Sequence, residues 1–292
     1  MKRWPIALLI LALFAGVLYW KREPAVMAFA GAIIEKSSDA ERVALLSTHT
    51  EIRLPEGETP FPVVIQFHGC AGVRAPFQRD WADIANKAGY AAMIVDSNGA
   101  RGFDRAASVE KVCGGKALLG QERAGDVLAA IEIADADPRL DASRMVLAGW
   151  SHGAWSVMDY FTMDPEKTTP PGLVRERRKL PEAKGAILFY PYCGFGARIH
   201  FQPYVQSPPT LALIAGADEI VDAQRCIEHF GKRKAEGGTV DMVVYDGANH
   251  VFDDRYLEPE LQSWFNEDYY QDAAGRYEGF LTALGAPENT AN

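Results

Sequence analysis

The sequence MVLAGWSHGAWSVM, residues 145–158, places a G-x-S-x-G pattern between two apolar segments. The run 145–148 predicts a short buried strand, and residues 153–158 predict the start of a helix. In that setting Ser151 occupies a tight turn that exposes its Oγ above the sheet. Gly149 and Gly153 fit this turn because side chains there would collide with the neighbouring strand and helix. The stretch therefore indicates a nucleophilic serine, with an ordinary strand-to-helix turn as the alternative.

The composition is that of an acidic globular domain. The chain has 292 residues, of which 48% are hydrophobic and 24% charged, enough to bury a full core in one large domain. Its formal net charge of -9 argues against a nucleic-acid partner, because phosphate binding requires a basic face.

The N-terminal segment has the pattern of an export signal. Basic pairs flank an uncharged, mostly apolar run, and a small-x-small sequence follows: Lys2-Arg3, residues 4–20, Lys21-Arg22 and Ala28-Phe29-Ala30. We expect residues 1–30 to be a signal peptide or a membrane anchor, and residues 31–292 to form the folded domain on the periplasmic or extracellular side. Cleavage and retention both stay open, with retention favoured because Lys21-Arg22 interrupts the expected cleavage region. A buried helix of the domain is the alternative.

The domain contains four cysteines: Cys70, Cys113, Cys193 and Cys226. Their even number agrees with export, because disulfides persist in oxidising compartments. Spacing alone leaves all three pairings open.

Apolar runs alternate with segments of helical periodicity along the domain. Strands are predicted at 50–55, 62–67, 91–95, 145–148, 186–190, 211–215 and 240–245, and helices at 77–88, 121–136, 223–236 and 267–284. This alternation implies a mostly parallel sheet with helices on both faces. In such folds ligands bind at the carboxyl ends of the strands, so the loops that follow strands are expected to form the site.

Two of the loops that follow strands are long, residues 96–120 and 191–206. They carry Arg101, Arg105 and Arg198, whose guanidinium groups are suited to pair with a carboxylate on a substrate. Solvated surface charge is the alternative interpretation of these arginines.

A nucleophilic serine requires a base, and the base requires a carboxylate that orients it. One known chain order is serine, acid, histidine. Asp218 follows the strand 211–215 and is the favoured acid. Glu219 and Asp222 are rivals, although Asp222 also fits the N-cap of the next helix.

The base is expected after the last strand, and His250 follows the strand 240–245. Two other histidines fit less well, because His200 precedes the acid's strand and His229 lies within a predicted helix. His250 is therefore the favoured base.

The intermediate of such a reaction carries an oxyanion, which requires preorganised N–H donors. One expected donor is the backbone N–H of His152, directly after the serine. The other is expected from the loop 69–72, where the N–H of Cys70 is favoured. His68 precedes this loop and is interpreted as fixing it rather than as a base.

Several motifs together resemble the dienelactone hydrolase family of α/β-hydrolases: His68-Gly69-Cys70, Asp96-Ser97 with Arg101-Gly102, the pentapeptide at 149–153, Tyr190-Pro191-Tyr192-Cys193-Gly194, Gly216-Ala217-Asp218 and His250-Val251-Phe252-Asp253. The match spans about residues 50–284. It implies the α/β-hydrolase fold, with Ser151 as nucleophile, Asp218 as acid and His250 as base. The best-known members have cysteine at the nucleophile position, so the resemblance carries over ester hydrolysis and not their lactone specificity.

The resemblance also bears on the cysteines. In the α/β-hydrolase topology the strands before Cys70 and Cys113 are neighbours, and so are the strands before Cys193 and Cys226. The resemblance therefore implies bridges Cys70–Cys113 and Cys193–Cys226 at the active-site edge, with free buried thiols as the alternative.

These expectations describe an exported or membrane-anchored serine hydrolase that cleaves a small ester or lactone substrate. A peptidase or acyltransferase on the same triad is a second candidate, and a noncatalytic, membrane-tethered binding protein on a hydrolase scaffold is a third. No metal or organic cofactor is expected, because no His/Cys/Asp cluster has ligand spacing.

Overall fold

The computed structural model describes residues 34–176 and 178–285. The predicted signal peptide or anchor, residues 1–30, lies outside the described residues.

The strands are β1 (Ser37–Ser38), β2 (Thr50–Arg53), β3 (Phe61–Phe67), β4 (Ala91–Val95), β5 (Leu140–Trp150), β6 (Leu173–Val174), β7 (Gly185–Phe189), β8 (Thr210–Ala215) and β9 (Val240–Tyr245). The α-helices are α1 (Asp39–Ser47), α2 (Ala75–Lys87), α3 (Arg105–Ser108), α4 (Gly120–Ala136), α5 (His152–Phe161), α6 (Ala223–Ala235) and α7 (Glu267–Gly285). Within the two described ranges, no helix combines the length and the apolar character needed to cross a bilayer.

Seven strands form one sheet in the order β2-β4-β3-β5-β7-β8-β9. β2 runs antiparallel to β4, and every other neighbouring pair is parallel. Strands β3, β4, β7 and β8 are buried along almost their whole length, as is usual for parallel strands covered on both faces. The predicted mostly parallel sheet is confirmed.

Helices cover both faces of the sheet, and successive strand residues alternate between them. Val63 and Ile65 of β3 belong to the cluster that includes α1, α4, α5 and α6. Val64 between them belongs to the cluster that includes α2 and α7. Trp81 of α2 and Tyr277 of α7 are fully buried there, so both helices contribute aromatic side chains to the core.

Several elements differ from the predicted ones, and β1, β6 and α3 have no counterpart among them. β5 is longer than the predicted strand because it pairs with β3 already at Leu140. α1 has no counterpart among the predicted elements, although Ser38 and Glu41 form a capping box at its start. The N–H of Glu41 donates to Ser38 Oγ at 3.2 Å, and the N–H of Ser38 donates to the Glu41 carboxylate at 2.7 Å.

The carboxyl ends of the parallel strands meet at one edge of the sheet. The register places Phe67 of β3 beside Gly149 of β5, and Ala215 of β8 beside Tyr245 of β9. The loops that follow these four residues carry every side chain expected in the catalytic triad. The fold therefore brings those loops to a common edge.

Candidate active site

Ser151 lies on a sharp turn between β5 and α5, with φ 53° and ψ -112°. A Cβ at Gly149 would lie 2.5 Å from the backbone nitrogen of Ala154, and a Cβ at Gly153 would collide with the carbonyl oxygen of Phe67. Both positions therefore require glycine, because the strand and the helix approach each other closely. The turn holds the serine side chain at the carboxyl edge of the sheet.

A hydrogen-bonded chain links Ser151, His250 and Asp218. The distance from Ser151 Oγ to His250 Nε2 is 3.0 Å, and the distance from His250 Nδ1 to Asp218 Oδ2 is 2.6 Å. In the neutral tautomer that fits these distances, Nδ1–H donates to the carboxylate and Nε2 accepts from the serine hydroxyl. This is the arrangement of a nucleophile, a general base and an orienting acid.

Asp218 is held by the loop that carries it. Its Oδ1 accepts hydrogen bonds from two backbone N–H groups of that loop, at 2.8 and 2.9 Å, which leaves Oδ2 for His250. Asn249 ties this loop to the histidine loop, because its side-chain amide exchanges two hydrogen bonds with Glu219, at 3.0 and 2.8 Å. The separation between acid and base is therefore fixed by both loops.

The rival acids and bases lie elsewhere. Glu219 pairs with Asn249, and the Asp222 side chain is 57% exposed and pairs with a surface arginine. His200 and His229 line a separate cavity. The favoured acid and base are thus the ones that the fold brings to Ser151. Across the described ranges, no group of three or more His, Cys, Asp or Glu side chains is arranged to hold a metal ion.

The loop 69–72 adjoins the nucleophile. A Cβ at Gly69 would lie 3.7 Å from Ser151 Cβ, and Cys70 lines the same cavity as Ser151. His152 is the first residue of α5, directly after the nucleophile. The two N–H groups predicted as oxyanion donors therefore belong to segments that adjoin Ser151, and their function stays a prediction.

His68 is fully buried at the start of this loop. Its Nδ1–H donates to the carbonyl oxygen of Gly69 at 2.6 Å, and its Nε2 accepts from the N–H of Ser97 at 3.1 Å. Burial and the positive charge of Arg123 hold the pKa of His68 well below its usual value, so the ring is neutral. Arg123 also donates to the carbonyl oxygen of His68 at 2.8 Å. These contacts agree with the interpretation that His68 fixes the loop.

Ser151 opens onto an apolar cavity of about 370 Å³. Apolar side chains from several segments form most of its wall: Phe77, Val109, Trp150, Ile220, Val251, Leu257, Leu261 and Trp264. The last three belong to the segment 257–264, which lacks the periodicity of a strand or a long helix and was not predicted to take part. The cavity has the size and character of a site for a small ligand.

Charged side chains at the rim of this cavity are paired with one another. Arg74 Nε lies 2.9 Å from Asp254 Oδ2, and Arg74 also contacts Glu258 at 3.0 Å. Arg105, which was predicted to bind substrate, lines the cavity and contacts Glu258 at 2.7 Å. Each cation thus has a carboxylate partner, and the rim offers little net charge to a ligand.

Arg101 and Arg198 do not reach the cavity. The Arg101 guanidinium donates to both carboxylate oxygens of Asp126, at 3.0 Å each, and to Glu35 at 2.6 Å. Arg198 is also buried, and its Nε donates to Thr162 Oγ1 at 2.8 Å. Their loops follow strands as expected, but both side chains turn inward to polar partners in the core. This placement corrects the expectation that they bind substrate.

A further carboxyl group lies behind the triad. Asp253 is buried, its Oδ1 accepts from the Tyr190 hydroxyl at 2.8 Å, and its Oδ2 accepts from Trp150 Nε1 at 3.1 Å. Burial raises the pKa of Asp253 to about 7. The Tyr190 ring packs against the His250 ring with centroids 4.7 Å apart. Asp253 therefore holds Tyr190, whose ring packs against His250, and its position three residues after His250 was the available sequence signal.

Two disulfides connect the loops at this edge, Cys70–Cys113 and Cys193–Cys226. Both pairings implied by the family resemblance are confirmed. The strands before each pair are parallel neighbours, β3 with β4 and β7 with β8. Cys70 and Cys113 both line the cavity at Ser151, so this bridge ties the loop 69–72 to the cavity wall.

We expect the loss of the first bridge to impair catalysis more than the loss of the second. Replacing Cys70 and Cys113 by alanine frees the predicted oxyanion loop, so kcat should fall by up to about 10². Replacing Cys193 and Cys226 should chiefly destabilise the fold, by about 2–4 kcal/mol. Ester hydrolysis and urea unfolding of the two double variants measure both effects. Equal kcat values in the two variants would contradict the expectation that the Cys70–Cys113 bridge holds the predicted oxyanion loop.

Comparison with known proteins identifies structures of the same fold, whereas no family model matches the chain. A candidate dienelactone hydrolase from Klebsiella pneumoniae subsp. pneumoniae is 17% identical, with TM-score 0.60, over 80% of this chain and 91% of that one. Esterase 2 of the planctomycete Thermogutta terrifontis, with propionate bound, is 19% identical, with TM-score 0.59, over 82% and 91%. A dienelactone hydrolase-like promiscuous phosphotriesterase from metagenomic libraries is 16% identical, with TM-score 0.59, over 80% and 92%. The predicted α/β-hydrolase fold is confirmed, and the structural neighbours are dienelactone hydrolase-like proteins and esterases.

Proposed function

We propose that the protein is a serine hydrolase that cleaves a small carboxylic ester, open-chain or cyclic, through an acyl-enzyme. The observation that carries this proposal is the chain from Ser151 Oγ through His250 to Asp218, with distances of 3.0 and 2.6 Å, at an apolar cavity. The fold shared with esterases supports the same reaction. A fold alone does not define an activity, so the proposal depends on these side chains.

Each catalytic step has a residue suited to it. His250 Nε2 takes the proton from Ser151 Oγ as the oxygen attacks the ester carbonyl, and Asp218 stabilises the resulting imidazolium. The N–H groups of Cys70 and His152 bind the oxyanion. His250 then gives its proton to the leaving alcohol, and the acyl group stays on Ser151. Water activated by His250 hydrolyses this acyl-enzyme and restores the serine hydroxyl.

A phosphonate probe tests the nucleophile directly. Fluorophosphonates react with activated serines, and esterase 2 of Thermogutta terrifontis, 20% identical over 82% of this chain, has been observed phosphoramylated by tabun. We expect one label per chain, located by peptide mapping on Ser151. A chain that stays unlabelled would contradict the proposed hydrolase and favour the noncatalytic binding protein.

The cavity favours a neutral, apolar acyl group. Its wall is apolar, and the rim arginines Arg74 and Arg105 already have carboxylate partners. A substrate carboxylate would have to leave water without gaining a free cation, which is unfavourable.

We therefore expect a neutral diester to be hydrolysed with a kcat/KM at least about tenfold higher than the matched monoester that carries a free carboxylate. The comparison requires a diester and a monoester that differ only in the second carboxyl group, which is a methyl ester in the first compound and a free carboxylate in the other. A faster monoester reaction that is lost in Arg105→Gln would instead support the substrate-binding arginine expected from the sequence.

We also propose that the protein is exported, and anchored in the membrane where residues 1–30 are retained. The flanked apolar segment and the two disulfides support an oxidising compartment. Cell fractionation combined with N-terminal sequencing of the mature protein tests both parts. Recovery of the intact chain in the cytosol with four free thiols would contradict export.

A further inference from the structure

A second cavity, of about 470 Å³, lies outside the candidate active site. Its wall consists of residues 199–204, Ser207 and the C-terminal half of α6 with the turn after it. It shares no lining residue with the cavity at Ser151. The proposed ester hydrolysis therefore does not explain it.

Arg233 is a buried cation in the wall of this second cavity. The residue is 7% exposed, its Nη2 donates to Ser207 Oγ at 2.8 Å, and its guanidinium carbon lies 4.1 Å from the centre of the Tyr204 ring. Within residues 34–176 and 178–285, no carboxylate lies within ion-pair distance of it. A guanidinium has five N–H donors, and among the described residues only Ser207 accepts a hydrogen bond from this one, so the other donors are available to a ligand in the cavity that Arg233 lines. A buried charge without a counterion is costly, and an anion in the cavity would offset that cost.

The other ionisable groups of the cavity do not neutralise Arg233. Burial lowers the pKa of His229 to about 4, with Arg233 adding to the shift, so His229 is neutral at pH 7. His200 Nε2 is bonded to a backbone carbonyl at 2.9 Å. Lys232 and Glu236 are 75% and 63% exposed and lie 3.8 Å from each other, so their charges compensate at the surface. The interior of the cavity is therefore electropositive.

The C-terminus of α6 is a second possible partner for Arg233, because the last carbonyls of a helix carry partial negative charge. Among the described residues, however, the guanidinium of Arg233 hydrogen-bonds to Ser207 Oγ and to none of these carbonyls, which pair with the turn instead. The backbone N–H groups of Glu236, Gly237 and Gly238 donate to the carbonyl oxygens of residues 232–234, at 3.0, 3.1 and 2.9 Å. The guanidinium instead lies over the Tyr204 ring, a cation–π contact that keeps it at the cavity wall.

We propose that this cavity binds a small organic anion through Arg233. The anionic group is a carboxylate or a phosphate monoester, because both match the planar fork of a guanidinium with two parallel hydrogen bonds. The Ser207 hydroxyl supplies an additional donor. Ile199, Pro203 and Tyr204 line the cavity and give the organic part of the ligand an apolar surface.

Titration calorimetry on the purified, disulfide-bonded protein tests this proposal with benzoate, phenyl phosphate and the neutral benzamide. We expect one molar equivalent of an anionic probe to bind and benzamide to bind at least about tenfold more weakly. Tighter binding of benzoate or of phenyl phosphate identifies the preferred anionic group. Arg233→Gln should weaken anion binding by roughly tenfold or more, and Arg233→Lys, which keeps the charge but loses the fork, by an intermediate factor.

Lys234→Gln is the matched control, because it removes the same charge one residue away, at an exposed position that does not line the cavity. It should leave the affinity for the anion within about twofold of wild type. Thermal unfolding without probe verifies that each variant folds, and Arg233→Lys is informative even where Arg233→Gln is unstable. Equal losses in Lys234→Gln and Arg233→Lys, equal binding of benzamide, or unchanged binding in the folded Arg233 variants would each overturn the proposal.

Discussion

Ser151→Ala should lower kcat/KM for an ester substrate by roughly 10⁴–10⁶ and abolish labelling by a fluorophosphonate. The expected loss is large because the variant has no oxygen at 3.0 Å from His250 Nε2 that could form the acyl-enzyme. The N–H groups of Cys70 and His152, the proposed oxyanion donors, stay in place and account for the small residual rate. Initial rates with a chromogenic ester and labelling followed by mass spectrometry measure the two effects.

Ser156→Ala is the matched control for this variant. Ser156 is buried in α5, and its hydroxyl donates to the carbonyl oxygen of His152 at 2.8 Å. Its replacement by alanine also removes a buried serine Oγ, but from the helix that follows Ser151. It should cost about 1 kcal/mol in the free energy of unfolding and leave labelling unchanged. Activity retained in Ser151→Ala would refute the proposed nucleophile.

Asp218→Asn should lower kcat by on the order of 10⁴. The two backbone N–H groups keep the amide oxygen in the place of Oδ1, so the amide NH2 faces His250 Nδ1, where the carboxylate oxygen lies at 2.6 Å. The NH2 donates to the ring instead of accepting from it, so the imidazole is held in the wrong tautomer and its positive form loses its counterion. The two backbone hydrogen bonds to Oδ1 keep the side chain in the same position, which separates this effect from misfolding. Steady-state kinetics near neutral pH give the ratio.

Asp222→Asn provides the comparison for the acid. Its side chain is 57% exposed and pairs with Arg225 at 3.0 Å, an interaction of small value at a surface. We expect kcat to change by no more than about twofold. A larger loss of kcat in Asp222→Asn than in Asp218→Asn would show that Asp218 is not the acid of the triad.

The features that could be predicted from sequence are those with a local signal. The glycines around Ser151, the apolar strand before it and the strand ends before Asp218 and His250 are readable along the chain, and the structure places these three side chains together. The disulfide pairing required knowledge of strand neighbours, which the family resemblance supplied and the register confirms.

The features that could not be predicted depend on contacts between distant segments. Arg101 lies on a loop that follows a strand, but the buried Asp126, 25 residues later, draws its side chain into the core. The pairing of Arg105 with Glu258 joins residues far apart in the chain and removes a charge that the sequence presents as free. Spacing along the chain predicts which loop approaches a site, whereas the direction of a long side chain depends on its partners.

The backbone conformation of Ser151 lowers the stability of the fold, while the proposed reaction requires a serine at this position. A non-glycine residue at φ 53° is strained, by about 1–2 kcal/mol. Ser151→Gly should therefore unfold with a free energy higher by about 1 kcal/mol than Ser151→Ala, although both variants lack the nucleophile. Directed evolution of this chain for heat resistance alone would favour variants that have glycine in place of Ser151. Any such selection therefore has to include an assay for turnover.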